Sequence, residues 1–276
     1  MTQNYSIGIM QGRLSSKTGK PLQSFPIDDW CEEFSRAKRL GLNQIEWLFD
    51  GLNDKKNPIS SVNGRKKIKA LIKEHKITVN SLCAHKFING SLLNKTSVEK
   101  AKEELSELLL WASDIHIKYV ILPIMGSMSI KENNNAKEKL KKILHDVLKK
   151  NSPIILLETD MPAIEIRNFI NQVSLKNVQV LYDLGNANAM GFNIEEDITT
   201  LKNIIGEIHI KDRFSDEGKS TRLGSADTPI KIAAKTLSRL SWKGPIILET
   251  PVFDDWLSEA ESNILYTKKI FNLLPT

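Results

Sequence analysis

With 276 residues, 41% of them hydrophobic and 26% charged, the chain carries enough apolar material for a core, and a disordered chain is not expected. No run approaches the roughly 18 apolar residues of a membrane span, and the start, MTQNYSIGIMQGRL, lacks the marks of a signal peptide, so a cytoplasmic protein without membrane partners is expected. The formal net charge of +6 is dispersed along segments such as GRKKIKALIKEHK, which read as solvated helix faces and not as a nucleic-acid surface, although the excess would suit a phosphorylated substrate. The two cysteines, Cys31 and Cys83, have no metal-type spacing and read as plain thiols.

Short β-branched runs alternate with amphipathic segments along the whole chain. A strand at 5–10 (YSIGIM) leads to a helix at 28–40, and a strand at 44–48 (QIEWL) to a helix at 61–75. Strands at 77–83 (ITVNSLC) and 118–122 (KYVIL) precede helices at 97–115 and 135–150. Those at 153–158 (PIILLE) and 178–182 (VQVLY) precede helices at 162–173 and 194–204. The last two, 206–210 (GEIHI) and 245–249 (PIILE), precede helices at 229–240 and 255–273. Asp28 or Asp29, Thr96, Asn193 and Pro229 mark helix starts. Gly41, Gly206 and Gly244 close helices or the short loops after them.

Eight such alternations without a linker give an α/β chain, a (β/α)8 TIM barrel in a single domain over 1–276, a fold that needs about 250 residues. An open doubly wound sheet is the alternative, but no GxGxxG follows the first strand. The longer loops follow strands 1, 3, 4 and 7, all on the face where such barrels carry their active sites.

Four of the strands end in chemistry. Glu158 closes IILLE, Asp183 follows VQVLY, His209 lies in IHIKD and Glu249 closes IILE. An ionised carboxylate at the tip of an apolar strand is costly unless solvated, paired or metal-bound. Alone, each carboxylate could be a rim ion pair or helix cap, and His209 a satisfied core histidine; together they form an oxygen-rich set suited to one divalent ion, Mn²⁺, Mg²⁺, Co²⁺ or Zn²⁺. Such an ion would polarise a carbonyl and its neighbouring hydroxyl, stabilising an enediolate formed by proton abstraction α to the carbonyl. Sugar isomerases and epimerases work by that chemistry.

The eight-unit layout and the words LLET, YDLGN, HIKD and ILET together resemble the xylose-isomerase-like barrel family of sugar isomerases and epimerases, over essentially the whole chain. AHKFINGS, the Asp183–Asn186 tetrapeptide and HIKD with LGSAD after it are most similar to the pentulose-phosphate 3-epimerase branch. The resemblance implies that Glu158, Asp183, His209 and Glu249 bind one divalent ion. It also implies that Glu158 and Glu249 are the catalytic acid/base pair, on opposite faces of a small carbohydrate substrate, free or phosphorylated. His85 and Glu46 match positions near the substrate. Asn186 stands where several ketose epimerases have histidine, which favours a sugar phosphate over a free ketohexose.

Lys211, Arg213 and Arg222, after strand 7, are further candidates for sugar hydroxyls or a phosphate, with salt-bridged rim charges as the alternative. Arg13 and Asn80 are lesser candidates, and His75, His116 and His145 are read as structural. A hydroxy-acid isomerase or dehydratase of the same family is the alternative function. An abasic-site endonuclease would need several clustered ions, and hence more than the five histidines present. A homo-oligomer is possible.

Overall fold

Aliphatic, β-branched runs bounded by turn residues pair in parallel when helices cover them, because both faces of each strand can then be buried. In the computed structural model, which describes residues 5–16, 21–52, 54–216 and 218–271, these runs become β1 (Ile7–Met10), β2 (Gln44–Leu48), β3 (Thr78–Cys83), β4 (Tyr119–Ile124), β5 (Ile154–Thr159), β6 (Val178–Asp183) and β7 (Ile205–Ile210). A two-residue-per-strand hairpin follows, β8 (Asp212–Arg213) with β9 (Ser220–Thr221), and then β10 (Ile246–Leu248). The sheet closes in the order β1-β10-β7-β6-β5-β4-β3-β2, with Ile9 of β1 opposite both Leu248 and Ile45. The expected barrel is therefore present, with every barrel strand close to its predicted place.

Outside it run α1 (Glu32–Arg39), α2 (Val62–His75), α3 (Val98–Asp114), α4 (Asn134–Val147), α5 (Ala163–Val173), the short α6 (Leu184–Ala189), α7 (Ile194–Leu201), α8 (Ile230–Arg239) and α9 (Trp256–Ile270). No described helix is long and apolar enough to cross a membrane. Asn193 caps α7 as expected, its side chain accepting from Glu196 N at 3.3 Å. Asp28 and Asp29 do not cap α1, because the chain already turns at Pro26, whose carbonyl accepts from Trp30 N at 2.8 Å. Thr96 is held by the Asn94 side chain through its amide at 2.9 Å and its hydroxyl at 2.8 Å, so α3 starts only at Val98. Gly41 has the expected left-handed backbone, with φ 66°.

Gly206 closes no helix; it lies inside β7. Val180 of β6 faces Ile205, but the next residue, Leu181, faces Glu207, so Gly206 is the extra residue of a bulge. A Cβ there would lie 2.5 Å from Leu156 Cδ2. The bulge is what turns Glu207 and His209 together into the barrel.

The core has two parts. A large cluster fills the space between barrel and helices, including Trp47, Phe34, Leu82, Leu122, Leu157 and Ile208. A small one, of Tyr119, Ile121, Leu156 and Leu181, fills the barrel interior along β4, β5 and β6. On the side of β2, β3 and β7 the interior is polar instead, with Gln44, Glu46, Ser81, Glu207 and His209 all fully buried.

Candidate active site

The four strand-tip residues converge. Glu158 stands opposite Pro123 near the end of β5, Asp183 ends β6 opposite His209 of β7, and Glu249 directly follows β10, its amide bonded to Ile210 O at 3.0 Å. One donor atom from each lies within 4.8 Å of the others. Asp183, His209 and Glu249 are buried, and Glu158 is nearly so. His209 Nδ1 is 3.0 Å from Glu249 Oε2 and 3.9 Å from Asp183 Oδ2, so that nitrogen points into the cluster.

Each member is held by a second group. Asp183 divides its oxygens: Oδ1 caps α6 by accepting from Asn186 N at 2.7 Å, and Oδ2 faces the cluster, 2.9 Å from Lys211 Nζ. The helix-cap reading of this residue is realised, and its second oxygen is free of the cap and turned toward the other three side chains. Glu158 Oε1 accepts from Asn186 Nδ2 at 2.8 Å, and Asn186 Oδ1 in turn accepts from Arg213 Nη1 at 2.6 Å. Glu249 Oε1 accepts from Gln23 Nε2 and lies 3.9 Å from Arg13 Nη2. Beneath the cluster, His209 Nε2 meets the Glu46 carboxylate at 3.2 Å and Glu207 Oε1 at 3.6 Å.

Burial and charge set the protonation states. Burial and the neighbouring Glu249 raise the Glu158 carboxyl from 4.5 to about 8. Glu249 is equally buried, but Lys211, His209 and Arg13 outweigh that cost and hold it well below the ordinary carboxylate range. Burial disfavours the charged His209, yet Glu46, Glu207 and Glu249 around it keep its pKa well above the usual value. Lys211 is raised despite burial, by Asp183, Glu249 and Glu158. In the protein alone the two outer carboxyls of the cluster thus differ, Glu158 being shifted up and Glu249 down.

The donor set fits a divalent ion. Three carboxylates and one imidazole nitrogen suit hard to borderline cations, and the second nitrogen of His209 is oriented by a carboxylate, as metal-ligating histidines usually are. Lys211 Nζ, lodged between Asp183 and Glu249, marks the same spot as one that attracts positive charge.

The structure brings Asn186, Lys211 and Arg213 to the cluster and places His85 close enough to feel its charge: burial lowers the imidazole pKa, while Glu249 opposes and Arg13 and Lys211 assist. Arg13 joins them, buried and bonded to Gln23 Oε1 at 2.8 Å and Thr250 O at 3.2 Å. Glu46 is fully buried on β2, and its carboxylate meets His209 Nε2 from below. Arg222 turns outward, paired with Glu259 at 2.5 Å and stacked over Phe253, its side chain 58% exposed. Asn80 bonds to Gln44 Oε1 and Thr78 Oγ1 at the opening end of β3, away from the strand tips. His145 Nε2 donates to Val173 O at 2.9 Å on the outside, as a structural histidine.

Two contributors carry no sequence signal of comparable strength. Gln23 sits in an irregular loop with no periodicity to place it. Glu207 could have been found, since it lies two residues before His209 on one strand and therefore on the same face.

A closed parallel barrel whose strand tips gather this donor set defines a (β/α)8 protein with a candidate cation site on its active face. The chain belongs to the xylose isomerase-like TIM barrel family, whose model matches residues 34–270. It is similar in fold to 3-keto-D-glucoside 4-epimerase from E. coli, at 16% identity over 95% of this chain and 98% of that one, with a TM-score of 0.72. D-psicose 3-epimerase from Clostridium cellulolyticum H10, solved with D-tagatose, gives 16% identity over 96% and 99% and a TM-score of 0.73. A xylose isomerase-like TIM barrel protein from Mycobacterium smegmatis, in complex with magnesium, gives 14% over 99% and 98% with a TM-score of 0.65. No curated protein sequence matches the chain significantly.

Proposed function

We propose that this protein is a divalent-metal-dependent isomerase or epimerase of a small sugar or sugar phosphate, with Glu158 and Glu249 as its acid/base pair. The observation that carries this reading is the pair itself. Two carboxyls belong to one donor set and stand on strand tips separated by those of Asp183 and His209, so they approach one site from two directions. One carboxyl placed to take a proton and a second placed to return one are what a proton exchange at carbon needs.

Glu158, Asp183, His209 and Glu249 would hold the ion, and Mn²⁺, Mg²⁺, Co²⁺ and Zn²⁺ all match their chemistry. When bound, the ion supplies Lewis acidity toward a carbonyl and its neighbouring hydroxyl, lowering the cost of deprotonating the adjacent carbon. Glu249 takes that proton with one carboxylate oxygen. Glu158 returns a proton from the other side, steadied by Asn186. Delivery to the opposite face gives epimerisation, and return by a single group to a neighbouring carbon gives aldose–ketose isomerisation. His85, Arg13, Lys211 and Arg213 surround the cluster with groups able to orient sugar hydroxyls or a phosphate. The sugar epimerases of similar fold support a carbohydrate as the substrate class.

The test is turnover of ketoses and their phosphates, followed by chromatographic detection of the isomeric product, with the protein loaded in turn with each of the four ions. Activity that disappears on chelation and returns on reloading is expected, as is its loss in Glu158→Gln and Glu249→Gln. Full activity in a thoroughly chelated sample, or in either variant, would contradict the reading.

A further inference from the structure

We propose that Lys211 is a built-in rival of the metal ion: its ammonium takes the cation position between Asp183 and Glu249, and an ion binds by displacing it. The inference rests on the reading of Glu158, Asp183, His209 and Glu249 as a metal site, and it concerns what sets the affinity of that site.

The geometry is specific. Lys211 Nζ lies 2.9 Å from Asp183 Oδ2 and 3.0 Å from Glu249 Oε2. Glu249 Oε2 is also the oxygen that meets His209 Nδ1, so the ammonium and the imidazole share an oxygen of the donor set. The Lys211 side chain is only 11% exposed, and a charge so placed needs partners. Its position is no accident of a long surface side chain. Lys211 follows His209 by two residues, which puts both on the barrel's inner face, and its stem crosses the bare Cα of Gly185, where a Cβ would lie 2.5 Å from Lys211 Cγ. The segment Asp183–Asn186 therefore supplies a donor oxygen, the gap that seats the lysine stem, and the amide that clips Glu158.

A divalent cation and an ammonium cannot both lie close to the same two oxygens without strong repulsion. With the stem clamped near Cγ, the torsions beyond it are the ones left to carry Nζ aside, toward the space where the sugar would lie. Ion binding would then release one donor for substrate oxygens, coupling the two binding events through a single side chain. Removing the ammonium should leave the carboxylates more receptive to an ion and less stable without one.

Titration calorimetry with Mn²⁺, together with thermal unfolding in the presence of chelator, tests this on the full chain. Lys211→Met and Lys211→Gln should each bind Mn²⁺ about tenfold tighter or more, the scale on which groups next to metal ligands act. Both should melt lower than the wild type when chelated, whereas Lys211→Arg, which keeps the charge, should not gain affinity. Unchanged or weaker Mn²⁺ binding in the Met and Gln variants, or equal tightening in the Arg variant, overturns the proposal while leaving the metal reading intact. Absence of Mn²⁺ binding in the wild type and in all three variants removes the metal reading, and this inference with it.

Discussion

Asn186 Nδ2 donates to Glu158 Oε1 across 2.8 Å while Asn186 Oδ1 accepts from Arg213 Nη1, so one amide ties the acid of the proposed pair to β8. The bond fixes which oxygen of Glu158 is left for the substrate. Asn186→Ala should therefore lower kcat about tenfold or more with a smaller change in KM, on the scale of a lost hydrogen bond to a buried group. Steady-state kinetics on the identified sugar checks this. An Asn186→Ala enzyme with wild-type kcat would show that Glu158 needs no clip.

The raised Glu158 carboxyl makes a stability prediction with a definite sign. Its pKa rises from 4.5 to about 8 through burial and the proximity of Glu249, so the folded state holds its proton more tightly than the unfolded chain does. That contribution is complete below pH 4.5 and is lost as pH rises through about 8. In chelator, the wild type should lose stability across this window, and Glu158→Gln should flatten the decline. Urea unfolding at a series of pH values decides it, and parallel curves for the two proteins would contradict the assignment.

Glu46 is expected to act on the ion through His209. Its carboxylate meets His209 Nε2 at 3.2 Å, leaving Nδ1 directed at the donor set. Glu46→Gln keeps the size but weakens that orientation, and Mn²⁺ affinity should fall about 10–100-fold, as for other groups that orient metal ligands. Calorimetric titration is the measurement, with unaltered affinity as the contrary result.

Leu156 belongs to the small apolar cluster inside the barrel and also lies against Gly206 at the bulge. Leu156→Ala should cost about 2–5 kcal/mol, since surrounding strands cannot collapse into the gap. Denaturant unfolding should show it, and a loss below about 1 kcal/mol would mean that the barrel relaxes more freely than a close-packed interior allows.

Much of this architecture was legible because period and composition change together at each strand. The eight apolar runs and the four tip residues Glu158, Asp183, His209 and Glu249 follow from local patterns and a family resemblance, and the fold brings them to one place. What the sequence hid was mostly non-local. The fate of Glu46 depended on a β2 side chain facing a β7 histidine across the barrel, and the outward turn of Arg222 on Glu259 in a helix far along the chain. Gly206 looked like a helix stop because glycine often serves there, and its use as a bulge depends on the register with β6. Gln23 reaches Glu249 from an irregular loop, where no periodicity predicts direction.

Incubation of the Mn²⁺-loaded protein with its ketose or ketose phosphate in D₂O, followed by NMR, tests the central claim most directly. Deuterium should enter at the carbon next to the carbonyl as product forms, and neither wash-in nor product should be seen with Glu249→Gln. Product formed without solvent deuterium at that carbon, or undiminished wash-in by Glu249→Gln, would contradict proton exchange by the Glu158 and Glu249 pair.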